Sequence, residues 1–218
     1  MAGIKVIITG ATGMVGEGVL FECLQNAKVN EVLIVNRRHY ELDHPKLKEL
    51  IVPDFSKLDL FADSIASHDA CFFCAGISSV GMKEDKYTRI TYDTTMAFAK
   101  ILLANNDNMS FCYVSGSHTD SSEKGRLMWA RVKGRTENDL MKLPFKGVYN
   151  FRPGGMLPFP GQKNWKAIYK FIVKIINVFS PKIVITMEEL GRSMINAVTI
   201  GYSKHILEIP DIKQLAKT

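Results

Sequence analysis

Short apolar runs alternate with stretches of helical periodicity along nearly the whole chain. Residues 4–9 (IKVIIT), 31–36 (EVLIVN), 48–55 (KELIVPDF), 69–76 (DACFFCAG), 109–115 (MSFCYVS) and 147–152 (GVYNFR) predict six strands. Between them the spacing predicts helices near 14–27, 57–67 and 84–105, and one that carries Trp129 and Lys133. Two further helices, near 163–178 and 188–199, and a last strand over 205–209 complete the pattern. The strands are continuously apolar rather than alternating, so both faces of their sheet are covered, and strand–helix alternation makes that sheet parallel. The expectation is an α/β, doubly wound parallel sheet forming a single domain over 1–218. No internal repeat and no low-complexity segment interrupts it.

Composition changes this picture little. The chain is 46% hydrophobic and 23% charged, enough to bury a core and remain soluble. Its most apolar helical stretch, FIVKIINVF at 171–179, is broken by Lys174, and the helix around it is shorter than the roughly 20 residues of a bilayer span. No membrane span is expected, and the apolar start without a basic leader argues against a secretory signal. Cys71 and Cys74 form a C-x-x-C, but residues three apart on a strand face opposite ways and cannot share a metal. No metal site is expected, and scattered free cysteines fit a reducing, cytoplasmic setting. The net charge is +6, but the lysines are dispersed and no recognition motif accompanies them, so nucleic acid is not an expected partner.

The chemistry begins where the first strand runs into TGATGMVGEG. Gly10, Gly13 and Gly16 stand three apart at a strand–helix junction. That spacing permits a tight turn, close approach of backbone to a pyrophosphate, and close packing of helix on strand. The helix N-terminus then offers free N–H groups to phosphates. This is the context of a Rossmann-type dinucleotide site. The second strand ends at Asn36-Arg37-Arg38, without the carboxylate that would take a ribose 2′-hydroxyl. Arginine can fork onto a 2′-phosphate, so NADP(H) is expected over NAD(H), with Arg37 as the contact.

TGATGMVG, NRR, PDF, CAG, YVSGS, VKG and FRPGGM occur in an order that resembles the short-chain dehydrogenase/reductase superfamily. More narrowly it resembles the atypical, extended-like branch around the Tat-interacting oxidoreductase-like proteins, from about residue 4 to 212. The resemblance implies that Thr12, Gly13, Met14 and Val15 line the pyrophosphate turn. It implies that Asp54 accepts a hydrogen bond from the adenine amine with Phe55 beside it through its backbone, and that Ala75 and Gly76 let the cofactor pass over the fourth strand. Pro153 and Gly154 would flank the nicotinamide, and Lys133 would hold the nicotinamide ribose.

In that superfamily a tyrosine transfers the proton, a lysine four residues on lowers its pKa, and a serine steadies the substrate oxygen. Lys133 and Ser115 or Ser117 match the last two, but Trp129 stands where tyrosine would be. An indole N–H only donates and does not titrate at working pH. His118, in the loop GSHTDSSEKG, is the one nearby group with a suitable ordinary pKa; its alternative is a solvated loop histidine. Trp129 is read either as a core residue or as a wall of the nicotinamide pocket. The region from about residue 156 leaves room for a small substrate-side lid, and Thr186 with Glu189 forms a capping-box pattern.

Two functions stay open. One is a reductase or dehydrogenase of a small carbonyl or alcohol with altered proton chemistry, its small-molecule substrate unidentified. The other is a catalytically silent dinucleotide-binding module that senses redox state or engages a protein. A homodimer or a protein partner is compatible with either.

Overall fold

Described in a computed structural model over residues 3–164 and 183–218, the chain opens with β1 (Ile4–Thr9), α1 (Met14–Gln25), β2 (Val29–Asn36) and β3 (Leu47–Ile51). A 3₁₀ turn (Phe55–Phe61), α2 (Ala62–Ile65) and β4 (Ala70–Phe73) follow. Next come α3 (Glu84–Thr88), a π turn (Arg89–Asp93), α4 (Thr94–Asn105), β5 (Ser110–Val114), α5 (Met128–Leu140) and β6 (Gly147–Phe151). The remainder is β7 (Gly155–Leu157), β8 (Val184–Thr186), α6 (Met187–Thr199), β9 (Ile206–Leu207) and α7 (Ile209–Leu215).

Seven strands form one sheet in the order β3-β2-β1-β4-β5-β6-β9, and every pairing is parallel. The expected doubly wound α/β fold is therefore the observed one. The chain steps outward from β1 through β2 and β3, then returns to β4 on the other side of β1. The strand order thus reverses between β1 and β4, the place where open α/β sheets bind ligands. The glycine turn after β1 lies at that switch.

Side chains alternate between two cores, as the pleat requires. Val6, Ile8, Phe72 and Cys112 pack on one face with Leu20 and Cys23 of α1 and Leu190 and Met194 of α6. Ile7, Phe73, Phe111 and Tyr113 pack on the other with Phe98 of α4 and Leu140 of α5. Cys71 joins the second core while Cys74 packs against the first, so this C-x-x-C does divide across the sheet. Among the described residues no cluster suits a metal, and no helix is long and apolar enough to cross a membrane.

Several boundaries differ from expectation. The third strand ends at Ile51, because Pro53 lacks the N–H a ladder needs and Asp54 accepts from Lys57 N (3.0 Å) through its carbonyl to start the 3₁₀ turn. The helix expected at 57–67 is that turn followed by the four-residue α2. The helix expected at 84–105 is continuous but contains the π turn; Thr94 Oγ1 donates to Arg89 O (3.1 Å) and Thr95 Oγ1 to Thr91 O (2.5 Å). The last strand shrinks to Ile206–Leu207, and α7 begins at Ile209 with Glu208 as its cap. The Thr186–Glu189 capping box is present in full. Of the helix expected at 163–178, residues 165–178 lie outside the described residues. β7 and β8 form a separate two-stranded parallel sheet that periodicity did not predict.

Candidate dinucleotide and active site

At the glycine turn, Gly10 has φ +74°, the left-handed region, and a Cβ there would lie 2.8 Å from the backbone of Ala75. Its carbonyl accepts from Gly13 N (2.9 Å), and a Cβ on Gly16 would collide with that same carbonyl. The turn can close only with glycine at both positions. Gly13 caps α1 without a side chain, so the N–H groups of the first helical turn at Met14, Val15 and Gly16 face outward beside exposed Thr12. Thr9 Oγ1 accepts from Ala75 N (3.1 Å) and fixes the neighbouring strand end. A Cβ on exposed Gly76 would meet nothing within 4 Å, which leaves an open path over the end of β4. These features fit a dinucleotide: a pyrophosphate at Gly13–Gly16 and a chain continuing past Ala75 and Gly76.

Behind the turn sits Glu17, fully buried in the first turn of α1. It accepts from Tyr40 Oη (2.8 Å), Asn164 N (2.6 Å) and Asn164 Nδ2 (2.9 Å), while Gln162 Nε2 donates to Met14 O. Residues 162–164 are thereby clasped to the glycine turn. After β2, Arg37 and Arg38 are exposed and have no hydrogen bond or ion pair among the described residues. A carboxylate does reach this loop, but from β3: Glu49 accepts from Asn36 Nδ2 (3.1 Å) and Tyr40 N (2.9 Å) and contacts His39 Nδ1. Three partners within the loop occupy it. Asp54 is exposed at the end of β3, and Phe55 turns inward to pack on Phe98, ring centroids 5.3 Å apart.

Across the switch point, α5 lies against the loop after β5. A Cβ on Gly134 would collide with the Asp120 carbonyl oxygen, so glycine lets the loop backbone cross the helix at contact. Arg131 secures the same crossing, donating to Gly125 O (2.6 Å) and Glu84 Oε2 (2.6 Å). Lys133, half-buried one turn after Trp129, donates through Nζ to the Ser115 carbonyl. Burial pushes its ammonium down to about 8, against a smaller upward pull from the Glu137 carboxylate. Trp129 is half-buried, and its indole N–H has no partner among the described residues.

Ser115 is buried, and its hydroxyl donates to Glu137, with Phe151 O at 3.1 Å as a second acceptor. Glu137, with no exposed surface, is paired with Arg152, whose Nε lies 3.0 and 3.2 Å from the two carboxylate oxygens and whose Nη2 also donates to it. Arg152 further donates to Ser121 Oγ (2.6 Å) and Glu208 Oε1 (3.2 Å). Ser117 N donates to Pro153 O (2.8 Å), which brings the serine loop beside Pro153 and Gly154. A Cβ on Gly154 would stand 2.7 Å from Ile183 O and 3.7 Å from Ser117 Oγ.

Thus Ser115, Ser117, Lys133, Pro153 and Gly154 come together. His118 does not join them: it is exposed and held at φ +66°, the left-handed region, as a loop-tip residue. Sequence reasoning missed Glu137, Arg152, Glu17 and Glu49. The one available signal was the spacing of Glu137 four residues after Lys133 on the same helical face. Cys74, at the end of β4, is pushed up to about 12 by burial and so stays a thiol.

The model of the NAD dependent epimerase/dehydratase family matches residues 6–123. Protein HTATIP2 of Rattus norvegicus is 28% identical over 155 residues, covering 70% of this chain and 63% of that protein. The chain thus spans less than two thirds of the rat protein. Protein FMP52, mitochondrial, of Kluyveromyces lactis is 26% identical over 166 residues, 73% of this chain and 69% of its own length. Among solved structures, the Bordetella bronchiseptica enzyme WbmF in complex with NAD+ superposes with a TM-score of 0.68 at 16% identity, covering 99% of this chain and 77% of that one. The short chain dehydrogenase/reductase YIR035C from Saccharomyces cerevisiae gives 0.69 at 12% identity, over 99% of each chain. At such identities the structural likeness speaks for the fold.

Proposed function

Because the chain belongs to the NAD dependent epimerase/dehydratase family, we propose that it binds NADP(H) in preference to NAD(H) and interconverts a small carbonyl and its alcohol. The observation that carries this reading is the convergence of Lys133, Ser117 and Gly154 at the loops after β5 and β6. Thr12, Gly13, Met14, Val15 and Gly16 would hold the pyrophosphate, Arg37 the 2′-phosphate, and Asp54 and Phe55 the adenine. Ala75, Gly76, Pro153 and Gly154 would pass and flank the nicotinamide, whose hydride the bound cofactor supplies. Lys133 would take the ribose, and Trp129 would wall the pocket. Arg37, exposed and without a partner among the described residues, supports the NADP(H) preference.

The silent-module reading keeps one specific observation in its favour. The Ser115 hydroxyl is committed to Glu137, and Trp129 cannot titrate, so two of the superfamily's three usual groups do no chemistry. On that reading NADPH alters oligomeric state or partner binding while no carbonyl is consumed.

The test is a titration with NADPH and NADH, exciting tryptophan and following energy transfer into the nicotinamide. A charge-assisted bond of about 1.5–3 kcal/mol predicts roughly ten- to a hundredfold tighter NADPH binding. Transfer should weaken in Trp129→Phe. Equal affinities would remove the NADP(H) preference, and no transfer from either nucleotide would remove the dinucleotide reading altogether.

A further inference from the structure

Resting on that reading, we propose that Lys133 itself supplies the proton for carbonyl reduction, taking over the task of the tyrosine that Trp129 displaces. The geometry around the amine carries this. Lys133 Nζ holds the Ser115 carbonyl with one of its three protons, which leaves two for other acceptors. It lies one helical turn from Trp129 and beside the loop that brings Ser117 to Gly154.

The neighbouring charges decide whether such an amine can release a proton. Glu137, one turn further along α5, is the carboxylate acting on Lys133, and its charge raises the ammonium's pKa less than burial lowers it. Arg152, just after β6, binds both its oxygens, and the Ser115 hydroxyl, just after β5, donates to it. The Glu137 charge is thus neutralised within its own buried pair, and desolvation prevails at Lys133. Tyr113 on β5 and Tyr87 on α3 are buried, and burial raises both phenols, so neither competes as an acid. His118 is exposed at the loop tip, and Arg131 is bound to Glu84.

The step balances without another group. The carbonyl π bond breaks, the carbon gains hydride from the dihydronicotinamide, which is oxidised, and the oxygen gains a proton as the Lys133 N–H bond breaks. The product is an alcohol and a neutral amine, which recovers its proton from water. Reduction therefore requires the ammonium and fails as pH rises through the Lys133 pKa, near 8; alcohol oxidation requires the amine and gains over the same interval.

Two measurements test this. The first is an NMR titration of the dimethylated lysines in the chain without cofactor, with Lys133 assigned by its loss in Lys133→Arg. Titration near 8 is expected; titration in the ordinary range above 10 overturns the proposal, whatever the cofactor does. The second is the pH profile of Lys133→Arg, which keeps the positive charge but cannot release a proton. The expected result is a fall in kcat of about 10²–10⁴ and loss of the alkaline limb. A variant that keeps the wild-type rate and limb overturns the assignment while the carbonyl-reducing reading stands. Failure to bind any dinucleotide, seen separately in the fluorescence titration, overturns both.

Discussion

The tryptophan at 129 occupies a position whose surroundings keep the contacts of the proposed site. Lys133 still reaches the β5 loop, Ser117 still lies by Gly154, and nothing in the Glu137–Arg152 network depends on the indole. Restoring the phenol should therefore act on chemistry more than on folding. Trp129→Tyr is expected to raise turnover of a small aldehyde by about 10²-fold or more, the usual worth of a positioned acid, and to shift the limiting group away from Lys133. Steady-state rates with NADPH across pH 6–10 would show it; an unchanged rate and profile would mean that this position faces no reacting atom. At this scale the sequence was readable where chemistry is local, as in the glycine spacing and the missing tyrosine. It was unreadable where partners are distant. Glu137 looks like any solvated helix glutamate, and the arrival of Arg152 after β6 and of the Ser115 hydroxyl after β5 explains how it can be buried.

Elements were legible in proportion to the length of their pattern. The strands β1 to β6 and the longer helices α1, α4, α5 and α6 follow from periodicity, whereas the helix expected at 57–67 is mostly a 3₁₀ turn. β7 and β8 have only three residues each, too few for a period, and their pairing is set by what lies beside them, while β9 keeps two residues of the strand expected over 205–209. The crossing of α5 and the β5 loop shows how an element junction can hide in one residue. Gly134→Ala gains up to about 1 kcal/mol in helix propensity, but its Cβ meets Asp120 backbone that must move, a cost of about 1–3 kcal/mol or more. The expected net loss is about 2 kcal/mol, seen as a lower Tm in a thermal scan. Gly76→Ala, pointing into open space, should leave Tm nearly unchanged and weaken dinucleotide binding instead. Equal effects of the two on Tm would mean that the loop slides off the helix freely.

For the molecule as a whole, the parallel sheet with its order reversed between β1 and β4 explains how candidate residues as far apart as 10 and 154 come to the same end of the strands. The fold class could be read in advance because a doubly covered parallel sheet leaves its signature in every strand. The contacts of residues 162–164 left no comparable signature, yet they tie this segment to the centre. Gln162 holds the Met14 carbonyl, and Asn164 gives both its backbone and side-chain N–H groups to Glu17. The backbone N–H of Asn164 is consequently a remote gauge of the phosphate turn. When that turn is occupied and stiffened, deuterium exchange at Asn164 should slow, although no part of Asn164 need touch the nucleotide. Exchange that ignores a saturating nucleotide would show that the clasp and the turn breathe independently.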